Sequence, residues 1–308
     1  MPLKPIVKKL MKFMAPSMSA LGLEKAREAA DEMGTKVPKE NLILGSIKNI
    51  TVNNSIKDTN LRIYTPNGNG PFPCFVFIHG GGWTTGTINS YDYICKKIAF
   101  LSDCITISID EGLSPEYKFP QPVEECYEVC RWIYNNADEL NIIQDKIAIG
   151  GDSSGGNISA AVSMLARDRY EFSLAYQIFL YPDMQLNAWN TESRIQFGAE
   201  FPPNNEDSLW YENNYLNSVN DASNPLVSPA LSDNLKGLPP AFIITAEFDP
   251  LRDPAELFAK HLKEADVDVE LKRFDGLIHG FLFMGKVLKE VNEAFEDISN
   301  HLRKYLYN

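Results

Sequence analysis

The segment that most constrains the fold is residues 146–157, which read KIAIGGDSSGGN. A short apolar run ends in glycines, Ser153 follows, and a helical pattern covers residues 158–169. Residues 151–155 match G-x-S-x-G, the strand-to-helix turn that lifts a serine hydroxyl above a parallel sheet. Glycines suit this turn because its backbone is strained and the strand and helix approach closely. The competing interpretation is an ordinary turn in which Ser153 caps the helix.

The rest of the chain repeats a strand-then-helix rhythm. Strand patterns lie at residues 47–52, 61–64, 75–78, 105–109, 147–149, 174–180, 241–245 and 267–274. Helical patterns lie at residues 91–101, 122–136, 158–169, 254–265 and about 285–306. This alternation predicts an α/β fold with a mostly parallel central sheet and helices on both faces, within one domain of 308 residues.

Two segments fall outside this rhythm and predict a helical cap over the sheet. Residues 1–45 are helical in pattern, with Ser19 as the cap of a helix over residues 21–33 and Gly34 as its end. Residues 184–220 have no strand pattern but are rich in aromatic residues, which argues against disorder. A merely decorative surface insertion is the alternative. We assign the substrate pocket to Trp83, Phe201, Trp210 and Ile278.

Charge and cysteine content narrow the choice of partners and location. The net charge of -12 argues against nucleic acid or an anionic membrane surface as the main partner. No apolar run is long enough to span a bilayer, and lysines interrupt the apolar start of the chain, so it is not a secretory signal. Five cysteines without a metal-binding spacing fit a reducing compartment and predict a cytoplasmic protein that binds no metal.

A glycine-rich loop follows the first fully apolar strand, with the sequence HGGGW at residues 79–83. Successive glycines leave backbone N–H groups free to stabilise the negative oxygen of a tetrahedral intermediate. A phosphate-binding loop is the competing use, but Thr85 occupies the third glycine place of G-x-G-x-x-G and no G-K-[ST] follows. We expect His79 to order this loop rather than to transfer a proton.

A serine nucleophile in such a sheet is followed along the chain by an acid and then a histidine. His279 follows the last predicted strand and precedes a helix, where a general base can reach a serine above the sheet. Asp249 is our choice for the acid that orients it. Glu247 and Asp253 are alternatives, although Asp253 is expected to cap the following helix.

Four segments together resemble the signatures of the hormone-sensitive-lipase-like carboxylesterases, a family of the α/β-hydrolase superfamily: HGGGW at 79–83, GDSSGGN at 151–157, DPLRD at 249–253 and HGF at 279–281. The resemblance extends from about residue 45 to the end. It implies an α/β-hydrolase fold and a triad of Ser153 as nucleophile, His279 as base and Asp249 as third member. It also implies that the oxyanion-hole N–H groups belong to Gly81, Gly82 and Ser154.

One segment departs from the family pattern. The family commonly has D-Y-R-L-A-P-E where this chain has DEGLSPE at residues 110–116, so Glu111 replaces an aromatic residue. A carboxylate there can pair with a cation of the protein, face water or line the pocket. We favour pairing, with Arg252 as the candidate partner, because a buried unpaired carboxylate is costly.

These patterns predict a serine carboxylesterase that hydrolyses small to medium acyl esters through an acyl-enzyme, without a cofactor. Its expected partner is a small-molecule ester, and a homodimer is the candidate assembly. The acidic composition argues against a lipase acting on bulk fat. An amide hydrolase or deacetylase would use the same residues. A non-catalytic ligand receptor on this fold is a further alternative, disfavoured because His279 is present.

Overall fold

The computed structural model describes residues 2–11, 17–37 and 40–307, and its centre is one eight-stranded sheet. The strand order is β1-β2-β4-β3-β5-β6-β7-β8, with β2 antiparallel to both β1 and β4 and all other neighbours parallel. The strands are β1 Ser46–Val52, β2 Thr59–Thr65, β3 Phe72–Ile78, β4 Ile105–Asp110, β5 Ile142–Asp152, β6 Tyr176–Leu180, β7 Ala241–Phe248 and β8 Val269–Ile278. The predicted mostly parallel sheet is therefore confirmed.

Helices cover both faces of the sheet. The α-helices of the described residues are α1 Pro5–Met11, α2 Met18–Leu21, α3 Leu23–Thr35, α4 Asp92–Ser102, α5 Gln121–Asn135, α6 Ser154–Arg169, α7 Glu192–Phe197, α8 Asn205–Tyr215, α9 Arg252–Glu264 and α10 Lys289–Leu306. Strand β3 is buried along its whole length and divides the core by alternation. Val76 and Ile78 pack in the cluster that contains α5 and α6, whereas Phe75 and Phe77 pack in the cluster that contains α4 and α10.

The last strand is longer than its sequence pattern predicts. Strand β8 continues past the turn-like Asp275 and Gly276 to Ile278, which pairs with Phe248 after an irregularity in the ladder. Gly276 has a φ of +76°, so it can absorb the irregularity without ending the strand. The C-terminal helix α10 begins at Lys289 instead of about residue 285, because Gly285 is non-helical within the 3-10 segment Phe281–Val287 and Leu288 is extended.

The N-terminal segment differs from the prediction in its helix boundaries. Ser19 lies inside the short helix α2 and does not cap the next helix; Gly22, with a φ of +78°, separates α2 from α3. Gly34 is a helical residue and not a stop signal. A Cβ at Gly34 would collide with the carbonyl of Ser90, so this glycine lets α3 pack closely against the segment before α4.

The segment 184–220 is less helical than predicted. It contains α7, α8 and the start of a 3-10 helix at Val219–Ser223, joined by irregular chain. Asp207 of α8 links this segment to the N-terminal helices: its Oδ1 accepts hydrogen bonds from Ser17 Oγ at 2.6 Å and from Ser19 N at 2.9 Å. No helix within the described ranges is long and apolar enough to cross a membrane.

Candidate active site

Ser153 lies at the junction of β5 and α6. Its φ is +53° and its ψ is -122°, a backbone conformation that residues other than glycine rarely adopt. A Cβ at Gly151 or at Gly155 would collide with the carbonyl oxygen of Ile78 on the neighbouring strand. These glycines therefore permit the close approach that holds the sharp turn and lifts the serine above the sheet.

Ser153, His279 and Asp249 form one chain of hydrogen bonds. Ser153 Oγ is 2.9 Å from His279 Nε2, and His279 Nδ1 is 2.7 Å from Asp249 Oδ2. Asp249 is 1% exposed, and its Oδ1 accepts the N–H of Leu251 at 2.8 Å. Ser153 makes no side-chain capping bond to α6, so the capping interpretation does not describe its hydroxyl.

The charges around these three hydrogen-bonded residues favour uptake of a proton by His279. Burial lowers the pKa of His279, but the adjacent Asp249 carboxylate together with Asp152 and Asp183 more than offsets it, so the pKa lies above its ordinary value. Because Asp249 can only accept from Nδ1, that nitrogen carries a hydrogen. Nε2 is then free to accept the proton of Ser153 Oγ.

The two alternative acids do not touch His279. Glu247 Oε2 accepts the N–H of Gly276 at 2.7 Å, and Asp253 Oδ2 accepts the N–H of Ser193 at 2.7 Å. The expectation that Asp253 caps the helix is wrong, because α9 already begins at Arg252 and Asp253 lies inside it.

The glycine loop after β3 lies beside the serine. Gly81 and Gly82 have φ values of +119° and +60°, and Gly80 N donates to Asp152 Oδ1 at 2.8 Å. Within the described ranges no acceptor is found for the N–H of Gly81 or Gly82. The N–H of Ser154, at the first position of α6, likewise has no partner within the helix. All three residues line the same cavity as Ser153.

Glu111 pairs with His79. The prediction that it pairs with Arg252 is wrong. Glu111 Oε2 lies 3.3 Å from His79 Nε2, within ion-pair range although not aligned as a hydrogen bond. His79 Nδ1 donates to the carbonyl of Gly80 at 2.8 Å. Arg252 instead donates to the Glu247 carbonyl at 2.9 Å.

Strand register explains why the sequence pattern missed this pair. Ile78 of β3 pairs with Ile109 of β4, so the residues that follow these parallel strands meet at the same sheet edge. Knowledge that β3 and β4 are neighbours would have brought His79 and Glu111 together. Burial raises the pKa of Glu111 to about 7, against the opposing effect of His79. The pKa of His79 is raised as well, because Glu111 and other carboxylates outweigh its burial.

A cavity of about 680 Å³ opens above Ser153. Of the residues predicted to form its wall, only Trp83 lines it; the assignments of Phe201, Trp210 and Ile278 are wrong. Phe201 packs against Phe197 and Phe248 away from the cavity, and Ile278 is fully buried in β8.

The cavity wall includes many residues that the sequence pattern did not single out. Helix α8 presents Asp207, Ser208 and Tyr211, which share one face of the helix, and Trp210 lies off that face. The N-terminal helices and the turn after them contribute Leu10, Met18, Ala29, Ala30, Met33 and Val37. Further apolar lining residues are Pro202, Pro203, Leu251, Phe283, Met284 and Val287. The wall is mostly apolar, with Asp152, Asp183 and Asp207 as its buried acids.

Across the part of the chain that the structure describes, no group of three or more metal-ligating side chains is placed to hold an ion. The site consists of a serine, a histidine, an acid and backbone donors beside an apolar cavity. Such an arrangement can transfer an acyl group through a covalent intermediate.

Comparisons with known proteins agree with this geometry. A family model described as an α/β hydrolase fold matches residues 75–283. The carboxylic ester hydrolase LipN of Mycobacterium tuberculosis is 39% identical over 79% of this chain and 67% of its own length. An arylesterase of Saccharolobus solfataricus is 34% identical over 87% of both chains. The solved structure of a hyperthermophilic esterase from Pyrobaculum calidifontis is 32% identical, with a TM-score of 0.93 over 99% of both chains.

Proposed function

Because the chain belongs to the α/β-hydrolase family of hormone-sensitive-lipase-like carboxylic ester hydrolases, we propose that Ser153, His279 and Asp249 are its catalytic triad. The continuous chain of contacts from Asp249 through His279 to Ser153 Oγ carries the proposal. Asp249 fixes the imidazole with Nε2 toward the serine and stabilises the imidazolium that forms during attack.

The reaction follows from these positions. His279 Nε2 takes the hydroxyl proton as Ser153 Oγ bonds to the ester carbonyl carbon. The carbonyl oxygen gains the negative charge and accepts hydrogen bonds from the N–H groups of Gly81, Gly82 and Ser154. The C–O bond then breaks, and the leaving alcohol receives the proton from His279. A water molecule then attacks the acyl carbon as His279 takes its proton. The bond from the acyl carbon to Ser153 Oγ breaks, Oγ takes the proton back from His279, and the acid is released.

We further propose that the N-terminal helices and residues 184–220 form a cap that selects small to medium acyl groups. Support comes from the cavity of about 680 Å³, whose apolar wall combines residues of both segments. A comparison of kcat/KM across p-nitrophenyl esters of rising chain length tests this size range. A maximum at long, lipase-type chains would contradict it.

The triad proposal is tested by covalent labelling with an organophosphate and mapping of the adduct by mass spectrometry. A single adduct on Ser153, absent from Ser153→Ala, is expected. An adduct on another serine would contradict the assignment while leaving the ester hydrolase activity intact.

Three expectations accompany this function and stay proposals. Ester over amide preference is measured as kcat/KM on a matched ester and amide pair. The expected homodimer is tested by the molar mass that light scattering gives for the protein as it elutes from a size-exclusion column. A cytoplasmic location is supported by five free, buried cysteines, which suit a reducing compartment. Since the chain is an ester hydrolase, the receptor alternative is set aside.

A further inference from the structure

Asp183 lies beside the proposed nucleophile and plays no part in the proposed triad. Its backbone is fixed to the serine turn: Asp183 N donates to the carbonyl of Ser153 at 3.2 Å, and its own carbonyl accepts from Asn157 Nδ2 at 2.7 Å. The residue lines the cavity together with Ser153 and His279. Its carboxylate is therefore held close to where an ester carbonyl would bind.

The Asp183 carboxylate differs from the other buried acids of the cavity wall in its hydrogen bonding. Asp152 accepts from Gly80 N and Tyr91 OH, and Asp207 accepts from two serines and an asparagine. Asp183 is 7% exposed, and its Oδ1 has no hydrogen-bond partner among the described residues. A buried acceptor without a donor costs free energy that a bound donor would recover.

The surrounding charges do not satisfy Asp183. Arg194 is the buried cation whose charge acts on Asp183. Its Nη1 donates to Ser208 Oγ at 2.6 Å, its guanidinium lies 5.1 Å from the Trp189 ring centre, and its Nε has no hydrogen-bond partner among the described residues. Among the described residues Arg194 makes no ion pair within 4 Å with Asp183. Glu212 adds a second buried carboxylate nearby. Burial raises the pKa of Asp183 to about 7 and Glu212 adds to the rise, whereas Arg194, His279 and a hydrogen bond from the Gln185 backbone oppose it.

The rest of the described cavity wall offers no compensating cation. The one lysine of the described wall is Lys36, which forms an ion pair with Glu32 in the same helical segment. The wall therefore presents acceptors and negative charge to a substrate and no free positive group. Such a wall attracts cations and hydrogen-bond donors and disfavours carboxylate-bearing substrates.

We propose that Asp183 is a specificity-determining residue that accepts a hydrogen bond from an ammonium or hydroxyl group carried by the substrate near its ester carbonyl. The proposal rests on the proposed esterase mechanism and names a substrate class for the same site. Esters of hydroxy acids, amino acids or polyols have the required chemistry. Purely alkyl esters are hydrolysed without this contact, and esters of dicarboxylic half-acids are poor substrates.

The test uses pairs of esters that match in shape and differ in one group. Ethyl 3-hydroxybutyrate is compared with ethyl 3-methylbutyrate, and the ethyl ester of β-alanine with ethyl butyrate, at a pH where the amine is protonated. A third pair places the donor on the alcohol: 3-hydroxypropyl butyrate against butyl butyrate. For each pair, kcat/KM of the donor-bearing ester is divided by that of its alkyl partner.

In Asp183→Asn we expect this ratio to fall about tenfold in at least one pair, as for a lost charge-assisted hydrogen bond. Asp183→Ser serves as a second variant if the asparagine protein is unstable. Glu206→Gln is the matched control, because it removes one negative charge from an exposed site on α8 outside the cavity wall. Its ratios should equal those of the wild type.

Two results would overturn the proposal. The first is an unchanged ratio in every pair for a folded Asp183 variant that still hydrolyses alkyl esters. The second is an equal fall in Glu206→Gln, which would assign the effect to overall charge. A wild-type protein inactive on all alkyl esters would instead contradict the proposed mechanism itself, so the two failures are distinguishable.

Discussion

At the scale of single residues, the proposed mechanism depends on the strained backbone of Ser153 and on its hydrogen bond to His279. We predict that Ser153→Ala and His279→Ala each lower kcat on a neutral ester by about 10⁴-fold or more, with the melting temperature little changed. The double variant should lose no more than either single variant, because the two groups act as one unit. A double variant far less active than both singles would show that they act independently.

In the proposed mechanism, the pKa of His279 sets the acidic limit of activity. His279 must be neutral to take the serine proton, and Asp249 raises its pKa above the ordinary histidine value. Activity therefore falls as the pH decreases through that raised pKa. We predict that Asp249→Asn lowers kcat and moves the acidic limb of the kcat/KM profile to lower pH. An acidic limb that stays in place would assign it to another group.

The His79–Glu111 pair makes stability depend on pH in one direction. His79 Nδ1 carries a hydrogen, so Nε2 and the carboxyl attract each other only when a second proton is held between them. Both pKa values are raised in the folded protein, that of Glu111 to about 7. The folded state thus binds more protons than the unfolded state, and this contribution to stability is lost as the pH rises.

We predict that the melting temperature of the wild type falls relative to that of Glu111→Gln between about pH 4.5, the ordinary pKa of a glutamate, and about pH 7, because glutamine does not titrate. Thermal unfolding of both proteins across this range measures the difference. Parallel curves would show that the pair holds no titrating proton. The positions of His79 and Glu111 within the core make this a test of stability and not of substrate binding.

Glu111→Tyr restores the residue type usual at this place in the family. Because Glu111 is 4% exposed and does not line the cavity, we predict lower stability with an unchanged ranking of neutral esters. The melting temperature and the relative kcat/KM of a chain-length series are the measurements. A new substrate ranking at unchanged stability would make Glu111 a pocket residue after all.

At the scale of secondary-structure elements, the contact between α2 and α8 joins the two segments of the proposed cap. Asp207→Ala removes the acceptor of Ser17 and Ser19. We predict a loss of about 1–3 kcal/mol of stability and a changed preference among long esters, with the acetyl ester little affected. Glu206→Ala on the exposed side of the same helix is the control. An identical chain-length profile in Asp207→Ala would count against a substrate-selecting role of this contact.

At the scale of the whole molecule, the acidic character extends from the surface to the cavity. The net charge is -12, and the buried acids of the cavity wall are not matched by unpaired cations. We predict that kcat/KM for the cationic β-alanine ester falls as salt is raised, whereas that for ethyl butyrate does not, because salt screens long-range attraction. Equal salt dependence for both esters would exclude electrostatic steering.

The sequence by itself determined the sheet and the residues of the proposed triad. Buried parallel strands appear as continuous apolar runs. The serine, the acid and the histidine follow three of these strands in a fixed order along the chain. Both the strands and the order of these residues can therefore be recognised from local sequence. Asp249, Ser153 and His279 could be chosen because each lies in the segment shortly after a predicted strand. The resemblance to a known family narrowed the acid to one of three.

The tertiary structure alone decided which side chains meet across elements. The His79–Glu111 pair depends on the neighbouring positions of β3 and β4, and the close packing at Gly34 depends on the segment before α4. Local patterns do not show which face of α8 turns toward the cavity, so Trp210 was chosen where Tyr211 lies. Only the structure shows that Asp183 Oδ1 is buried without a hydrogen-bond donor, because the partners of a buried polar atom depend on the folded surroundings.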